Sequence, residues 1–256
     1  MSLPHAALLA QEEVETYLRQ GYLVVPDLLS AQELDTFTAY EAERGDSGPR
    51  GLQNHKTDLQ WARIAGHRRI TAIAAQLLEG EPQIVQTMYM AKAPEGGTGV
   101  ALHQDTHYIR NTPNTLMACW IAFSDTDRDN GGLCVVPGSN HEGLYPTDAV
   151  REPGEHAAWE QVYAMGDADG NHWDETMRSF DIVGLDRGRL EYLTVPRGSG
   201  VFFTGLTIHG SFANRSSDRP RLAFATHFVR HETWIYRRDI QDTTPLSELP
   251  AAPVTT

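Results

Sequence analysis

The sequence has few cysteines and no long apolar run. Its 256 residues include two cysteines, Cys119 and Cys134, each inside an apolar stretch. This favours buried free thiols in a reducing compartment over a disulfide framework. No stretch approaches the roughly 20 apolar residues that span a bilayer. The first residues also lack a basic segment followed by an apolar core. We therefore expect a cytoplasmic protein without a membrane partner.

Positive charge is also scarce. The chain has 21 lysines and arginines against 34 aspartates and glutamates, which gives a formal net charge of −13. A protein that binds nucleic acid needs a basic face for the phosphate backbone. We therefore expect no nucleic-acid partner. Composition does not indicate the oligomeric state.

The first third of the chain has helical patterns. We predict helices over residues 9–20, from Ser30 to Ala42 and over 67–78, with a short strand at 22–25 between the first two. Ser30 followed by Glu33 is a capping box, in which each residue satisfies a free backbone N–H at the helix start. These helices should flank a separate β structure.

From residue 84 onward the pattern changes to short apolar segments separated by glycine and proline turns. We predict strands at 84–92, 100–105, 116–123, 133–136, 201–203 and 222–229. Many short strands with such turns are typical of a double-sheet sandwich or jelly roll. The fold class is therefore predicted as mainly β with flanking helices.

Two segments do not fit this strand pattern. Residues 147–190 are acidic and polar, and an insertion of this length is either a lid or a disordered excursion. Residues 243–256 are rich in proline, threonine and alanine and are expected to form a flexible tail. We therefore predict one domain over residues 1–242 with a lid or insertion at 147–190.

The triplet His103-Gln104-Asp105 is the strongest chemical signal. On a strand, residues i and i+2 point to the same face, so His103 and Asp105 should face one interior. His209 follows another strand-like run and can complete the set. Two histidines and one carboxylate on one face of a metal ion are the ligands of non-haem Fe(II) oxygenases. Arg221 adds a guanidinium suited to an acid co-substrate.

Other interpretations of these residues are open. The chain has 11 histidines, so a chance His-x-Asp is not rare, and His107 is in phase with the triplet on an ideal strand. The same ligands suit a Zn²⁺ or Mn²⁺ hydrolase or lyase, which would not need Arg221. A non-catalytic metal- or ligand-binding protein is a third candidate. The remaining histidines, including His227, are interpreted as surface or hydrogen-bonded structural residues.

The motifs together resemble the phytanoyl-CoA dioxygenase family over roughly residues 10–230. The similar segments are Gly21–Pro26, Val100–Asp105, Trp120–Ala122, Asp129–Leu133, Val136–Asn140, and His209-Gly210-Ser211 with Asn214, Ser216 and Arg221. The resemblance implies a double-stranded β-helix, the cupin-like jelly roll. Each motif alone is weak, but their combination is specific.

The resemblance also implies a site and an activity. Its iron ligands would be His103, Asp105 and His209, with Arg221 and Ser211 binding the far carboxylate of 2-oxoglutarate. Trp120 would shape the co-substrate pocket, and Gln86, with His107 as a further candidate, would face the primary substrate. Fe(II), 2-oxoglutarate and O₂ are the implied cofactors. The implied reaction is hydroxylation or another oxidation of an unactivated C–H of a small-molecule substrate, with release of succinate and CO₂.

One spacing departs from the family pattern. Arg221 lies twelve residues after His209 instead of eleven, which makes Arg219 a competitor for the carboxylate. We favour Arg221, because the strand that follows it fits the family block better. Arg219 precedes a proline and is typical of a turn. The motifs do not identify the primary substrate.

Overall fold

The computed structural model describes residues 8–45, 51–149 and 155–250. Within these ranges the helices are α1 (Gln11–Gln20), α2 (Ala31–Arg44), α3 (Leu59–Ala65), α4 (Arg68–Leu78) and the one-turn α5 (Asp105–Tyr108). Single 3₁₀ turns occur at Asn54–Lys56, Ser139–His141, Arg187–Arg189 and Leu246–Glu248. None of the described helices is long and apolar enough to cross a membrane.

Strands dominate the remainder of the chain. They are β1 (Tyr22–Val25), β2 (Pro82–Lys92), β3 (Val100–His103), β4 (Asn111–Thr112), β5 (Met117–Ala122), β6 (Leu133–Val135), β7 (Thr147–Ala149), β8 (Glu160–Gly166), β9 (His172–Arg178), β10 (Phe180–Ile182), β11 (Glu191–Tyr192), β12 (Gly200–Thr204), β13 (His209–Ser211), β14 (Arg221–Arg230), β15 (Trp234–Ile235) and β16 (Thr244–Pro245).

Two antiparallel sheets form a jelly roll. The major sheet has the order β1-β12-β5-β14-β2-β16, and the minor sheet has the order β11-β6-β13-β3. Neighbours within each sheet are distant in sequence, as a double-stranded β-helix requires. The predicted fold class, mainly β with flanking helices in a jelly roll, is therefore confirmed.

Helices α1, α2 and α4 begin and end within two residues of the predicted bounds, whereas α3 was not predicted. The Ser30 hydroxyl accepts from the Glu33 amide at 3.3 Å, and the Glu33 carboxylate accepts from the Ser30 amide at 2.8 Å. Helix α1 ends at Gly21, which has φ of +79°, a conformation that glycine adopts without steric cost. Local sequence signals therefore fix these boundaries.

The helices pack on the outer face of the major sheet. Phe37 of α2 lies at the centre of this layer, with its ring centroid 5.9 Å from Trp61 of α3 and 5.3 Å from Phe224 of β14. Each such aromatic pair contributes about 0.5–1.5 kcal/mol beyond area burial. One face of β14 is thus used for helix packing, and its other face is available to the interior.

The side chains that alternate along β2 and β14 with those of the outer layer face the interior between the two sheets. Residues of β2 and β14 pair across the sheet as Gln86 with His227, Met88 with Ala225, Met90 with Ala223 and Lys92 with Arg221. The spacing of two residues puts these four pairs on the same face. The row runs from polar groups, through apolar ones, to two cations. This row forms one wall of the functional site.

The acidic segment 147–190 contains regular structure. Strands β8 and β9 form an antiparallel hairpin, and β7 pairs with β10. Residues 150–154 lie outside the described ranges. The hairpin is connected to the barrel, since Gly166 donates to the Tyr236 carbonyl at 2.8 Å. The described part of this insertion therefore has defined contacts with the barrel.

The C-terminal segment differs from the expectation of a flexible tail over 243–256. Thr244 and Pro245 pair with β2 at the edge of the major sheet. The Thr244 hydroxyl contacts His55 at 3.0 Å, and Leu249 packs on the helical core. These contacts order residues 243–250, whereas 251–256 lie outside the described ranges.

Candidate metal centre

Three predicted ligands lie together in the interior. His103 ends β3, Asp105 begins α5 and His209 begins β13, and one ligand atom from each lies within 4.8 Å of the other two. The Asp105 Oδ1 is 3.4 Å from His103 Nε2 and 3.7 Å from His209 Nε2. His103 and His209 are direct partners across the β3–β13 pair. All three side chains are buried, and the cluster can hold one metal ion.

The backbone path to Asp105 differs from the predicted strand. The strand ends at His103, and the chain then turns into a helix that starts at Asp105. The buried Gln104 side chain stabilises this turn, because its Nε2 donates to the carbonyls of Gly143 and Leu206, each at 2.7 Å. The two ligands still converge, but a hydrogen-bonded turn positions the second one.

Both histidines present Nε2 to the cluster. His103 Nδ1 is 2.8 Å from the Ala101 carbonyl, and His209 Nδ1 is 3.0 Å from the Thr207 carbonyl. Because a carbonyl only accepts, each Nδ1 carries the proton and each Nε2 has a free lone pair. Burial, aided by the neighbouring His103, lowers the pKa of His209 to about 4. His209 is therefore neutral at physiological pH, as a metal ligand must be.

His227 orients the carboxylate. Its Nε2 lies 3.0 Å from Asp105 Oδ2, and its Nδ1 lies 3.3 Å from Gln86 Nε2. Burial by itself raises the pKa of Asp105, but the neighbouring imidazoles of His209 and His227, together with the hydrogen bond from His227, hold that pKa well below its usual range. The ionised carboxylate thus receives a proton donor on one oxygen and keeps the other directed at the two ligand histidines.

The sequence interpretation of His227 as an ordinary structural histidine missed this contact. His227 lies six residues after Arg221 on β14, and an even spacing puts both on the same face of a strand. The sequence therefore contained a signal for the inward position of His227, because Arg221 was already assigned to the interior.

Two buried cations lie side by side beyond the metal cluster. Arg221 pairs with Lys92 across β14 and β2. Burial lowers the pKa of Arg221 to about 10, and burial together with Arg221 lowers the pKa of Lys92 to about 7. Neither cation is ion-paired with a carboxylate among the described residues. Arg221 Nε is buried without a hydrogen-bond partner in those same ranges.

Lys92 links this cation pair to Ser211. Its Nζ donates to Ser211 Oγ at 2.8 Å and to the Phe212 and Gly131 carbonyls at 2.6 and 3.2 Å. Lys92 was not singled out by the sequence motifs. It lies on a strand register opposite Arg221, and registers are not visible in one sequence. The arrangement leaves an unneutralised positive region that suits an anionic group.

The Gly131-Gly132 turn brings a backbone carbonyl to this region. Gly131 has φ of +77°, and a Cβ at this position would lie 2.7 Å from the Phe212 carbonyl oxygen. Only glycine fits such a conformation and approach without strain. Gly131 therefore allows the close contact between this turn and the backbone that follows β13.

Arg219 is already neutralised at the surface. Its guanidinium contacts both oxygens of Asp127, at 2.6 and 3.2 Å. Asn214 Nδ2 and Ser216 Oγ each donate to the Arg219 carbonyl at 2.8 Å, which fixes the turn before β14. This turn accommodates the extra residue in the His209-to-Arg221 spacing. Arg221 is the arginine directed inward.

A cavity of about 320 Å³ contains the three candidate ligands. Gln86 and Trp120, two of the predicted site residues, also line it. His107 does not; it lies in α5 with Nε2 3.0 Å from the Tyr145 carbonyl, and it lines a neighbouring surface cavity. Three further lining residues, Trp159, Tyr163 and Phe180, are aromatic and come from the 147–190 segment, which the sequence predicted as a lid or an insertion.

The sequence profile of the phytanoyl-CoA dioxygenase (PhyH) family matches residues 8–223. An ectoine dioxygenase of Stutzerimonas stutzeri is 29% identical over 254 residues, covering 87% of this chain and 78% of that protein. The peroxisomal phytanoyl-CoA dioxygenase of Rattus norvegicus is 29% identical over 252 residues, covering 86% of this chain and 68% of that protein. The match therefore leaves part of each relative uncovered.

The fold also matches a solved structure. The epimerase SnoN in complex with Fe³⁺, alpha ketoglutarate and nogalamycin RO has a TM-score of 0.65 and 20% sequence identity, with 96% of this chain and 91% of that chain covered. At this identity the likeness shows the fold. Together with the family match over most of the sequence, it leads to one conclusion: the chain belongs to the phytanoyl-CoA dioxygenase family.

Proposed function

We propose that this protein is an Fe(II)- and 2-oxoglutarate-dependent oxygenase that hydroxylates a C–H bond of a small molecule. The observation that carries the proposal is the pairing of two sites in one interior. One site is a buried cluster of two imidazole Nε2 atoms and one carboxylate. The other is a buried arginine with a free N–H beside a buried lysine.

The donor set fits iron. Two neutral imidazoles and one carboxylate on one side of the ion leave the other positions for a co-substrate and O₂. His103, Asp105 and His209 would hold the metal. Iron bound there, with 2-oxoglutarate and O₂, supplies the oxidation of the substrate C–H while 2-oxoglutarate is converted to succinate and CO₂. His227 keeps Asp105 ionised and oriented.

The cation pair fits the far carboxylate of 2-oxoglutarate. Arg221 offers a planar fork of donors, and Ser211, already hydrogen-bonded to Lys92, offers a hydroxyl. The cavity that holds the cluster has apolar lining groups that include Met90, Trp120 and Leu133, whereas the two cations and Ser211 lie outside that lining. In the proposed arrangement the carbon chain of 2-oxoglutarate contacts apolar side chains, and its two charged ends contact the metal cluster and the cation pair.

The first test is anaerobic visible absorption of the protein with Fe(II), before and after adding 2-oxoglutarate. We expect a weak charge-transfer band that needs both additions and is lost in His209→Ala. Asp105→Ala should also abolish turnover once a substrate is known. Absence of the band at saturating Fe(II) and 2-oxoglutarate would contradict the proposal and favour a Zn²⁺ or Mn²⁺ enzyme or a non-catalytic protein.

Product analysis then separates the reaction types. Because a solved structure of this fold is an epimerase, oxidation on this scaffold is compatible with outcomes other than hydroxylation. We expect a product heavier than the substrate by one oxygen atom, with the label derived from ¹⁸O₂. A product of unchanged mass, or one lighter by two hydrogens, would contradict hydroxylation while leaving the oxygenase assignment intact.

A further inference from the structure

Four aromatic side chains form a continuous wall of the cavity. We define this aromatic wall as Tyr108, Trp159, Tyr163 and Phe180, all of which line the same space as the candidate ligands. Tyr108 stacks on Phe180 at 4.6 Å with an interplanar angle of 22°, and its centroid is 5.6 Å from Trp159. Trp159 remains 41% exposed. A large apolar surface therefore lies open at the rim of a buried reaction site.

The aromatic wall reaches the metal cluster. The Tyr108 ring centroid is 5.6 Å from that of His103. Three of its members come from the 147–190 segment, whereas Tyr108 comes from α5, the helix that begins with Asp105. A molecule lying against this wall would therefore have one end beside the candidate metal ligands.

No free charge accompanies the wall among the described lining residues. Arg237 is the one lysine or arginine there, and its guanidinium makes two hydrogen bonds to Asp239, at 3.0 and 2.7 Å. The same guanidinium lies 4.1 Å from the Tyr163 ring centroid. Nearby Arg110 is paired with Glu175 at 2.9 Å. A phosphate or carboxylate on a substrate would find no unpaired cation here.

One polar atom of the cavity lining is a hydrogen-bond acceptor that receives no hydrogen bond. Gln86 Nε2 lies 3.3 Å from His227 Nδ1, and a neutral His227 ring that donates from Nε2 to the Asp105 carboxylate accepts the Gln86 amide N–H at Nδ1. This fixes the orientation of the Gln86 amide and leaves Oε1 free. That oxygen is buried and has no hydrogen-bond partner among the described residues. A buried carbonyl oxygen without a donor is costly, and a ligand donor would satisfy it.

We propose that this part of the cavity binds an uncharged, ring-bearing small molecule that carries a hydroxyl or N–H group. The ring lies against Tyr108 and Trp159, and the donor group meets Gln86 Oε1. The proposal rests on the proposed oxygenase function and names its substrate class. It distinguishes this chain from a protein that would take a zwitterion or a CoA thioester.

The test uses matched probes on the full-length protein with Fe(II) and 2-oxoglutarate, without oxygen. The ring-bearing donors are phenol, 2-naphthol and indole, and their counterparts without the donor are anisole, 2-methoxynaphthalene and N-methylindole. Calorimetric titration gives the Kd of each. We expect at least one donor to bind with a Kd below about 1 mM and its counterpart to bind about three- to tenfold more weakly. Gln86→Met should remove this preference.

Substitutions on one hairpin test the ring contact. Trp159→Ala should weaken the best probe by about tenfold, and Trp159→Phe by less, because an aromatic face is retained. Trp173→Ala is the matched control, since Trp173 lies on the same hairpin but does not line the cavity. Its effect should stay below about twofold. Trp159 is partly exposed, so its replacement should leave the thermal unfolding temperature nearly unchanged.

Three results would overturn the inference. One is that none of the ring-bearing donors reaches a Kd of about 1 mM. Another is that ectoine or a saturated acyl-CoA binds more tightly than every ring probe. The third is equal binding of the best probe to the parent and to Trp159→Ala. The visible band with 2-oxoglutarate, recorded on the same samples, separates these results from failure of the oxygenase proposal.

Discussion

The cation pair and the aromatic wall are opposite kinds of binding surface. Lys92 and Arg221 are buried, come from paired strands of the major sheet and have no carboxylate partner among the described residues. The aromatic wall comes mostly from the 147–190 segment, and the one lysine or arginine among the described residues that line the same cavity, Arg237, is neutralised by Asp239. Our proposals therefore assign the anionic co-substrate to the sheets and the neutral substrate to the insertion.

Among the changes that we predict, replacing Arg221 should have the largest effect on the binding of 2-oxoglutarate. Arg221→Met removes the guanidinium that we assign to the far carboxylate of 2-oxoglutarate. Loss of one partner of a buried charge pair costs about 2–5 kcal/mol, so the Kd for 2-oxoglutarate should rise more than about thirtyfold. The anaerobic visible titration measures it. Arg219→Met is the control and should change the Kd by less than about threefold, because Arg219 is held by Asp127.

Stability of the ligand-free protein is the second readout for this change. Arg221 is buried without an ion-pair partner among the described residues, and removing such a charge is often neutral or stabilising. The free energy of unfolding of Arg221→Met should therefore not fall. A large loss of stability together with unchanged 2-oxoglutarate affinity would show that Arg221 has a structural role instead.

The site motifs were readable because they combine residue type with strand geometry. His103, Asp105, His209 and Arg221 were all placed in the interior from the sequence, although Asp105 reaches it from a turn and not from a strand. Lys92 could not be placed, because its role depends on the β2–β14 register. A register between strands separated by more than a hundred residues leaves no local pattern.

The aromatic wall was unreadable for a different reason. The hairpin strands have mixed burial, with exposed residues on both faces of β8, so neither a helical nor a strand period emerges. Trp159, just before β8, and Phe180 of β10 become site residues because their rings pack on Tyr108 of α5. That contact depends on tertiary packing between segments that share no motif.

Removing His227 should weaken the metal site without touching a metal ligand. His227→Ala leaves Asp105 Oδ2 without its donor, which frees the carboxylate to rotate. Loss of such a supporting hydrogen bond typically lowers metal affinity by about 10- to 100-fold. Competition with a metal-binding dye measures the Kd for Fe(II) or Mn²⁺. His231→Ala serves as the control, and an equal loss in both variants would argue against this specific role.

The charge of Lys92 should make 2-oxoglutarate binding depend on pH. Burial and Arg221 lower its pKa to about 7, so the ammonium form is present below that pH and is lost above it. The carboxylate prefers the ammonium form. Affinity should therefore be highest near pH 6 and fall by about tenfold toward pH 8.5.

Lys92→Met should abolish this pH dependence. The other ionisable groups that act on Lys92 do not change charge in this range: Arg221 has a pKa of about 10, that of Cys134 is raised to about 12 by burial, and that of Glu155 is lowered. The variant should bind 2-oxoglutarate weakly at every pH tested. If it keeps the pH dependence of the parent, another group is responsible for the titration.

The smallest expected effect is that of a change in the aromatic wall on the binding of 2-oxoglutarate. Trp159→Ala removes a member of the aromatic wall, and the described residues of this wall line a cavity whose lining does not include Lys92 or Arg221. Changes at separated sites without shared partners are usually independent. The Kd for 2-oxoglutarate should therefore change by less than about twofold in this variant, even though ring-bearing probes bind about tenfold more weakly. A large change in 2-oxoglutarate affinity would mean that the insertion also shapes the co-substrate site, and that the division between sheets and insertion is not valid.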